Sequence, residues 1–435
     1  MKEGIDATKI TATGAVLSII ILRYFTNWQQ ELKNNGADYV SDNFTEALAH
    51  MINFEAIIII FSVSIIVSLT KEKGFFTFIS LYIVKLSRGN PKILFIALGG
   101  LSFLISMFFD NLSAIILLGS LTVVLCKQIE LDPIPYVLFV GMNTIIGGLP
   151  TPVSSLPNII FVSYYSREIS FVEFMMYMFP ISVLFFLLST LFFFLVFKKQ
   201  IFIKLPPEKT EQIKRINPWS GIEKKSDIYK SISIIAVLFT GFIISNYIGL
   251  TVELVALFVA IFGLFLFSSD LKKFLREGVE WEMIVFFIAL FILMGILNGV
   301  GALAPITSLL VSVLGNGSVT SQILVAVVVG VIGLLITGFL NGSSAALIFA
   351  HIFEGMEKLT TTHLSKGLWI AFVLSGNIGG SLTPLGSITI LMALEILNRE
   401  GYNVSFAQYI KWTLPLTLLF GALSIAYSIL LIPFT

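Results

Sequence analysis

Residues 146–155 read Ile-Gly-Gly-Leu-Pro-Thr-Pro-Val-Ser-Ser, and residues 378–387 read Ile-Gly-Gly-Ser-Leu-Thr-Pro-Leu-Gly-Ser. The two stretches share the pattern Ile-Gly-Gly-x-x-Thr-Pro-x-x-Ser, and each lies within a strongly apolar region. Glycine pairs and proline interrupt helices, and irregular backbone at membrane depth is tolerated only where it is buried in protein or lines a cavity. The pattern therefore predicts two broken transmembrane helices, the arrangement with which secondary transporters build a binding site.

Composition places the chain among polytopic membrane proteins. Of its 435 residues, 56% are hydrophobic and 12% are charged, whereas soluble proteins have about 45–50% apolar and about 25% charged residues. At about 20 residues per span, there is room for roughly ten spans and for no soluble catalytic domain of ordinary size. The single cysteine, Cys126, excludes an internal disulfide and lies in an apolar run, which predicts a buried, inert thiol.

Two long apolar segments each carry a polar cluster at the middle. Segment 92–126 contains Asp110-Asn111-Leu112-Ser113, and segment 321–356 contains Asn341-Gly342-Ser343-Ser344. We expect each segment to form a re-entrant hairpin of two short helices, with the polar cluster at its tip.

The hairpins and broken helices recur in the same order, which indicates an internal repeat. Each repeat has three full crossings and one hairpin, and this odd number of crossings predicts that the second repeat is inverted relative to the first. The expected fold is an all-α polytopic membrane protein with about nine full spans and two hairpins. Its expected parts are an N-terminal helix and external loop (1–53), the first inverted repeat (54–198), a cytoplasmic linker with two connecting spans (199–280) and the second inverted repeat (281–435).

Charge supports this topology independently. With a cytoplasmic amino terminus, 22 of the 27 lysine and arginine residues fall on the cytoplasmic side, as the positive-inside rule requires. We therefore expect a multi-pass protein of the inner or plasma membrane, with its carboxyl terminus outside. The basic residues of the linker 198–230 are interpreted as a topology signal, so the expected partner is the lipid bilayer and not nucleic acid.

Asp110 is the carboxylate that the sequence places deepest in the membrane, where an ionisable group is costly enough to indicate function. A carboxylate beside amide and hydroxyl groups suits a sodium ion or a proton, with sodium possible at Asp110 and Asn111. The alternative is that Asp110 only caps the helix that follows it. The predicted ion-coupling residues are Asp110, Asn111, Ser113, Asn143, Gly147, Gly148 and Thr151. No cofactor other than the coupling ion is expected.

The two helix breaks predict the substrate contacts. Each break begins a new half-helix, whose free N–H groups carry a partial positive charge toward the centre of the site. No lysine or arginine lies in the predicted core, so an anionic substrate would depend on these helix ends and on hydroxyl groups. The alternative is a proline-kinked helix that satisfies its own backbone. The predicted substrate-binding residues are Ser154, Ser155, Asn158, Asn341, Gly342, Ser343, Ser344, Asn377, Gly379, Gly380, Thr383, Pro384, Ser387 and Thr389.

At these motifs the chain resembles the ion transporter superfamily, which includes arsenite efflux permeases, sodium/proton antiporters of the NhaD kind, the melanosomal P protein and citrate or dicarboxylate carriers. The resemblance extends from about residue 50 onward and rests on the tip at 110–113 and the loop from Ile146 to Asn158. The stretch 379–387, followed by 403–406, is most similar to the arsenite permease branch. The second tip lacks the Ser-Asn-Thr triplet that dicarboxylate carriers repeat. The resemblance also implies a homodimer.

These observations predict a secondary active transporter that works by alternating access and couples a small anion or inorganic ion to a sodium or proton gradient. Arsenite-like export ranks first, sodium/proton exchange second and di- or tricarboxylate transport third. Two other classes stay open. An ion channel would use the same cavity without a coupling ion. An intramembrane enzyme is disfavoured, because the closest candidate nucleophile and base, Ser344 and His351, have no third group beside them.

Overall fold

The helices of this chain follow from its apolar segments and from capping residues between them. The computed structural model describes residues 7–25, 43–164, 169–267, 272, 274–360 and 363–435. Lys2, Lys33, Arg167 and Lys273, which enter the charge count, and most of the expected external loop lie outside these ranges. The α-helices are α1 (Ala7–Phe25), α2 (Phe44–His50), α3 (Phe54–Glu72), α4 (Phe75–Leu86), α5 (Pro91–Ser106), α6 (Asn111–Gln128), α7 (Pro133–Gly147), α8 (Leu156–Tyr164), α9 (Phe171–Val196), α10 (Lys198–Ile201), α11 (Pro207–Arg215), α12 (Lys225–Ile244), α13 (Val252–Leu266), α14 (Trp281–Gly299), α15 (Ala304–Leu314), α16 (Val319–Thr337), α17 (Gly342–Leu359), α18 (Lys366–Gly379), α19 (Ile388–Arg399) and α20 (Phe406–Leu431).

The expected all-helical polytopic class is confirmed. Within the described ranges, seven helices are long and apolar enough to cross a membrane, namely α3, α6, α9, α12, α14, α16 and α20. Five further apolar helices are shorter: α4, α5, α7, α13 and α15. The predicted count of nine spans and the inverted orientation of the second repeat stay predictions. Cys126 is fully buried, as expected.

Both hairpins turn at their polar clusters, as the sequence predicted. Helices α5 and α6 are joined by residues 107–110, and α16 and α17 by residues 338–341. Asp110 and Asn341 end these turns as N-caps, because each side chain accepts a hydrogen bond from a backbone N–H of the next helix. The arms have 16 to 19 residues, so they are longer than the short helices expected. Two of them, α6 and α16, are among the candidate spans.

Both predicted broken helices are present. Helix α7 ends at Gly147 and α8 begins at Leu156, while α18 ends at Gly379 and α19 begins at Ile388. The intervening residues 148–155 and 380–387 are not helical. Neither break is therefore a continuous kinked helix, and each exposes one helix carboxyl end and one helix amino end at the same place.

The two halves of the chain share their helix order and closely similar helix lengths. Helices α3 and α14 have 19 residues each, and α9 and α20 have 26 residues each. Ser170 and Ser405 cap the two longest helices, which carry Pro180 and Pro415 at equivalent positions. Equivalent sequence signals thus produce equivalent elements in both halves.

The second part of each broken helix packs on the hairpin of the other half. Helix α8 lies against α17, and α19 lies against α6 and α7. Stacked rings strengthen the contact between the halves, with centroids 5.3 Å apart for Phe161 and Phe372 and 4.4 Å apart for Phe185 and Phe420. This exchange of partners brings both hairpin tips and both breaks to one place.

Candidate functional site

A cavity of about 130 Å³, here called the central cavity, lies between the two hairpin tips and the two helix breaks. Eleven of the predicted site residues line it: Asp110, Asn111, Ser154, Ser155, Asn341, Gly342, Ser343, Asn377, Gly380, Ser387 and Thr389. Both halves of the chain contribute to this lining. The structure therefore brings together residues that are more than 200 positions apart in sequence.

The threonine of each Thr-Pro pair ties its break to the neighbouring hairpin tip. Thr151 Oγ1 donates a hydrogen bond to the carbonyl oxygen of Met107 at 2.7 Å. Thr383 Oγ1 donates to the carbonyl oxygen of Gly338 at 2.5 Å. Both carbonyls belong to the C-caps of the first hairpin arms, where helix carbonyls lack intrahelical donors. The shared threonine thus satisfies a buried acceptor and fixes the position of the break.

The first glycine of each Gly-Gly pair permits close packing of broken helix on hairpin. A Cβ added at Gly147 would lie 2.3 Å from the carbonyl oxygen of Phe103. At Gly379 it would lie 2.1 Å from Thr337 Oγ1 and 2.4 Å from the carbonyl oxygen of Leu334. Both glycines lie at the end of an α-helix, so it is the absent side chain, rather than an unusual backbone conformation, that the structure requires.

Asn158 holds the first break in shape. Its Nδ2 lies 3.0, 3.2 and 2.9 Å from the carbonyl oxygens of Gly148, Leu149 and Thr151. Its Oδ1 accepts a hydrogen bond from Asn377 Nδ2 at 2.9 Å. Asn158 is fully buried and does not line the central cavity. Asn158 therefore has a structural role, in which it positions the loop, and its predicted substrate contact stays a prediction.

Asp110 both caps α6 and lines the central cavity. Its Oδ1 accepts a hydrogen bond from the backbone N–H of Ser113 at 2.8 Å, and the carboxylate lies at the positive end of the helix. Beside it, Ser106 Oγ lies 2.5 Å from Asn111 Oδ1. The capping role and the ligand-facing position are thus compatible in one side chain.

Glu280 is a carboxylate near this site that the sequence motifs do not indicate. It precedes the candidate span α14, and its Oε1 accepts a hydrogen bond from Ser113 Oγ at 3.3 Å. Burial, and then the negative charge of Asp110, raise the pKa of Glu280 to about 7. Glu280 directly precedes α14 as Asn53 directly precedes α3, and this position in the sequence does not indicate the contact with Ser113.

Ten predicted site residues do not line the central cavity: Ser113, Asn143, Gly147, Gly148, Thr151, Asn158, Ser344, Gly379, Thr383 and Pro384. Five of them support the breaks or the tips through the contacts described above: Gly147, Thr151, Asn158, Gly379 and Thr383. Asn143 points elsewhere. Its Nδ2 lies 2.8 Å from the carbonyl oxygen of Phe139 and 3.4 Å from Ser189 Oγ, while its Oδ1 has no partner among the described residues.

The electrostatic character of the central cavity comes from helix ends and one carboxylate. The first residues of α6, α8, α17 and α19 all belong to the lining, so four helix amino termini meet there. Helix amino termini attract anions. Asp110 is the charged member of the lining, and none of the described lining residues is basic. The arrangement can hold an anion at the helix ends and a cation at Asp110.

Comparison with known proteins identifies relatives over most of the chain. The family model described as "Citrate transporter" matches residues 3–375. The "46 kDa membrane protein" of Mycobacterium leprae is 24% identical, over 86% of both chains. An "Arsenical pump membrane protein" of Escherichia coli is 23% identical over 82% of both chains. The "P protein" of Mus musculus is 22% identical over 87% of this chain and 54% of its own.

Two solved structures with a similar fold are those of transport proteins. The YdaH transporter of Alcanivorax borkumensis aligns with a TM-score of 0.60 at 14% identity, covering 90% of this chain and 87% of its own. MtrF of Neisseria gonorrhoeae, described among antimetabolite efflux pumps, aligns with a TM-score of 0.58 at 11% identity, covering 98% of this chain and 94% of its own. At these identities the likeness concerns the fold.

Proposed function

Because this chain belongs to the citrate transporter family, we propose that it is a secondary transporter that moves a small anion by alternating access. That it is a membrane transporter of the citrate-transporter and arsenical-pump type follows from the family match and its relatives, and the resemblance to the ion transporter superfamily is confirmed. The proposal concerns the substrate, the coupling ion and the mechanism. It includes no chemical conversion of the solute.

The observation that supports this proposal is the central cavity itself. Four helix amino termini meet there without a basic side chain among the described lining residues. Backbone N–H groups and hydroxyls can hold an anion without the strong attraction of a fixed positive charge, so the anion can also leave. Serine and threonine hydroxyls from both halves, including Ser155, Ser343, Ser387 and Thr389, surround the same space.

Asp110 supports the coupling part of the proposal. A sodium ion or a proton at this carboxylate would neutralise the negative charge that otherwise repels an anionic substrate from the same cavity. Cation and anion would then favour each other's binding, which is the condition for moving both in one direction, whereas exchange of a solute for the cation would require Asp110 to bind them alternately. Asn111 and the backbone carbonyls around the tip are suitable oxygen ligands for sodium.

Arsenite-like export remains the first substrate class, because two arsenical pump membrane proteins are among the relatives. Citrate or a related carboxylate is the alternative that the family description favours, and sodium/proton exchange is the third. We further propose an inner or plasma membrane location, a cytoplasmic amino terminus and a homodimer within the lipid bilayer, with no nucleic-acid partner.

The test is solute flux in proteoliposomes that contain the purified chain. Arsenite and citrate are supplied separately, with an imposed sodium gradient, an imposed proton gradient or neither. The proposal expects one solute to move faster with one gradient than without any. Flux that no gradient accelerates would indicate a channel, and gradient exchange without movement of either solute would indicate a sodium/proton antiporter.

A further inference from the structure

Six exposed basic residues, here called the basic cluster, lie where α5 and α9 adjoin the linker. The segments 74–109 and 174–207 supply them and contain no aspartate or glutamate. None of the six forms an ion pair with another residue of the described ranges. The basic cluster consists of Lys85, Arg88, Lys92, Lys198, Lys199 and Lys204. Its positive charge is therefore uncompensated within the part of the chain that the structure describes.

A cation–π contact joins the two segments of the basic cluster. Lys92 Nζ, in the first turn of α5, lies 4.0 Å from the centre of the Phe202 ring, which directly follows α10. Phe202 is 41% exposed and packs edge-on against Phe194 of α9, with ring centroids 5.4 Å apart. The chain after α9 therefore folds back beside the start of α5 and brings its lysines to the same place.

Beyond the basic cluster, α5 and α9 lie antiparallel and each presents an exposed apolar face. At the end near the cluster, the rings of Phe95 and Phe194 have centroids 5.5 Å apart. Toward the other end, those of Phe103 and Phe186 have centroids 5.4 Å apart. The exposed leucine and isoleucine residues of each helix come three, seven or eleven positions after the first, which places them on one face: Ile93, Ile96 and Leu104 on α5, and Leu184, Leu187, Leu191 and Leu195 on α9.

Each apolar face has the length of one lipid leaflet. From Ile93 to Leu104, as from Leu184 to Leu195, a helix rises about 16 Å, and half of the hydrocarbon core of a bilayer is about 15 Å thick. Both faces begin at the basic cluster, because Ile93 directly follows Lys92 and Leu195 lies one turn before Lys198. The surface thus has positive charge at one end and an apolar strip of acyl-chain length leading away from it.

We propose that this surface binds an anionic phospholipid, with the phosphate held by the basic cluster and the acyl chains lying along the exposed faces of α5 and α9. Charge complementarity supports this occupant, because a group of unpaired lysine and arginine side chains at the end of a membrane helix attracts anionic headgroups. A zwitterionic lipid carries its own cation beside the phosphate and gains less from the cluster. The inference concerns a site outside the central cavity and does not rest on the proposed transport function.

A lipid at this surface would stabilise the folded protein. Phe95 of α5 stacks on Phe139 of α7 with ring centroids 4.0 Å apart, so the lipid-facing pair of helices also supports the helix that leads to the first break. A ligand that binds the folded state and not the unfolded state raises the melting temperature. Thermal stability therefore reports occupancy of the surface.

The test measures the melting temperature of the purified chain in detergent, with phosphatidylglycerol or with phosphatidylcholine of the same acyl chains. Native mass spectrometry counts the lipid molecules that stay bound. The cluster variant is Lys92→Gln with Lys198→Gln. The control is Lys224→Gln with Lys225→Gln, which removes the same charge from the linker and likewise includes one lysine over an aromatic ring, since Lys225 lies 5.1 Å from the ring centre of Trp219.

We expect phosphatidylglycerol to raise the melting temperature of the wild type and of the control by several degrees more than phosphatidylcholine does. The cluster variant should lose most of this difference and retain fewer phosphatidylglycerol molecules. The difference should also shrink with salt, because the Debye length falls from about 10 Å at 0.1 M to about 3 Å at 1 M. Lys199→Gln with Lys204→Gln is the second cluster variant if the first does not fold.

Three results would overturn the proposal. The two lipids could raise the melting temperature equally. The control variant could lose as much of the difference as the cluster variant, which would indicate an effect of net charge alone. Inorganic phosphate could give a shift of the same size that the cluster variant also loses, which would indicate a site for a free anion. No arm of the experiment depends on transport, so these outcomes are distinct from a failure of the flux experiment.

Discussion

Asn377 Nδ2 donates a hydrogen bond of 2.9 Å to Asn158 Oδ1 and so joins the two broken helices across the centre of the molecule. Asn377 also donates to the carbonyl oxygen of Val373 at 2.7 Å within its own helix. Each asparagine belongs to a different half of the chain. The contact is therefore a direct link between the two predicted half-sites.

Asn158→Ala should destabilise the folded protein strongly. The change removes the donor shared by three buried carbonyls and leaves the amide of Asn377 without its acceptor. A buried polar group without a partner costs about 1–3 kcal/mol, so the melting temperature should fall by several degrees. Asn398→Ala, at an exposed helix end, is the control and should change little. Equal melting temperatures for the two variants would refute the structural role given to Asn158.

Thr151→Val and Thr383→Val should each loosen a break from its hairpin tip. Valine keeps the shape of threonine but cannot donate to the carbonyls of Met107 or Gly338. We expect a loss of about 1–3 kcal/mol in each variant, because a buried acceptor is left unsatisfied. The matched control is Thr122→Val, since that hydroxyl bonds only to its own helix. If one threonine variant alone resembled the control, the two breaks would not be equivalent.

Gly147→Ala and Gly379→Ala should prevent the hairpins from packing. The added methyl group would lie 2.3 Å or less from an oxygen atom of the hairpin in each case, and overpacked cores typically lose about 1–3 kcal/mol or more. Gly100→Ala, whose Cβ would come no closer than 3.8 Å to a neighbour, should fold normally. The yield of monodisperse protein and its melting temperature distinguish these cases, and normal behaviour of all three variants would contradict the close approach.

Glu280→Gln should weaken the pH dependence of stability. The pKa of Glu280 rises from 4.5 to about 7 on folding, so the folded state binds the proton more tightly than the unfolded state. This contribution to stability is complete below about pH 4.5 and is lost as the pH rises through 7. The wild-type melting temperature should therefore fall between these values more steeply than that of the variant. Glu282→Gln, at the exposed neighbouring carboxylate, should keep the wild-type slope.

The sequence predicted the helical fold class, both breaks and both hairpin turns, because glycine pairs, proline and short polar clusters stand out in an apolar chain. It predicted eleven cavity-lining residues for the same reason. It could not show that Thr151, Thr383 and Asn158 hydrogen-bond to the backbone. The sequence alone does not distinguish a buried polar side chain that binds a ligand from one that donates to a backbone carbonyl. The contact between Ser113 and Glu280 was also missed, because 167 positions separate the two residues.

The unequal exposure of the repeats was likewise beyond the sequence. Val153 and Leu385 occupy the same place in one shared pattern, yet only Leu385 is exposed. Which half is covered depends on how α4 and α12 pack on the first tip, and a repeat pattern carries no information about that packing.

The central claim is that the charge of Asp110 couples solute movement to a cation gradient. Asp110→Asn tests it cleanly, because asparagine is an equally good helix cap and Asn341 already caps the second hairpin in that way. The measurement is gradient-driven uptake of arsenite and of citrate into proteoliposomes, with folding checked by melting temperature. We predict a folded variant in which the gradient no longer accelerates uptake, whereas wild-type gradient-driven rates in Asp110→Asn would contradict the account.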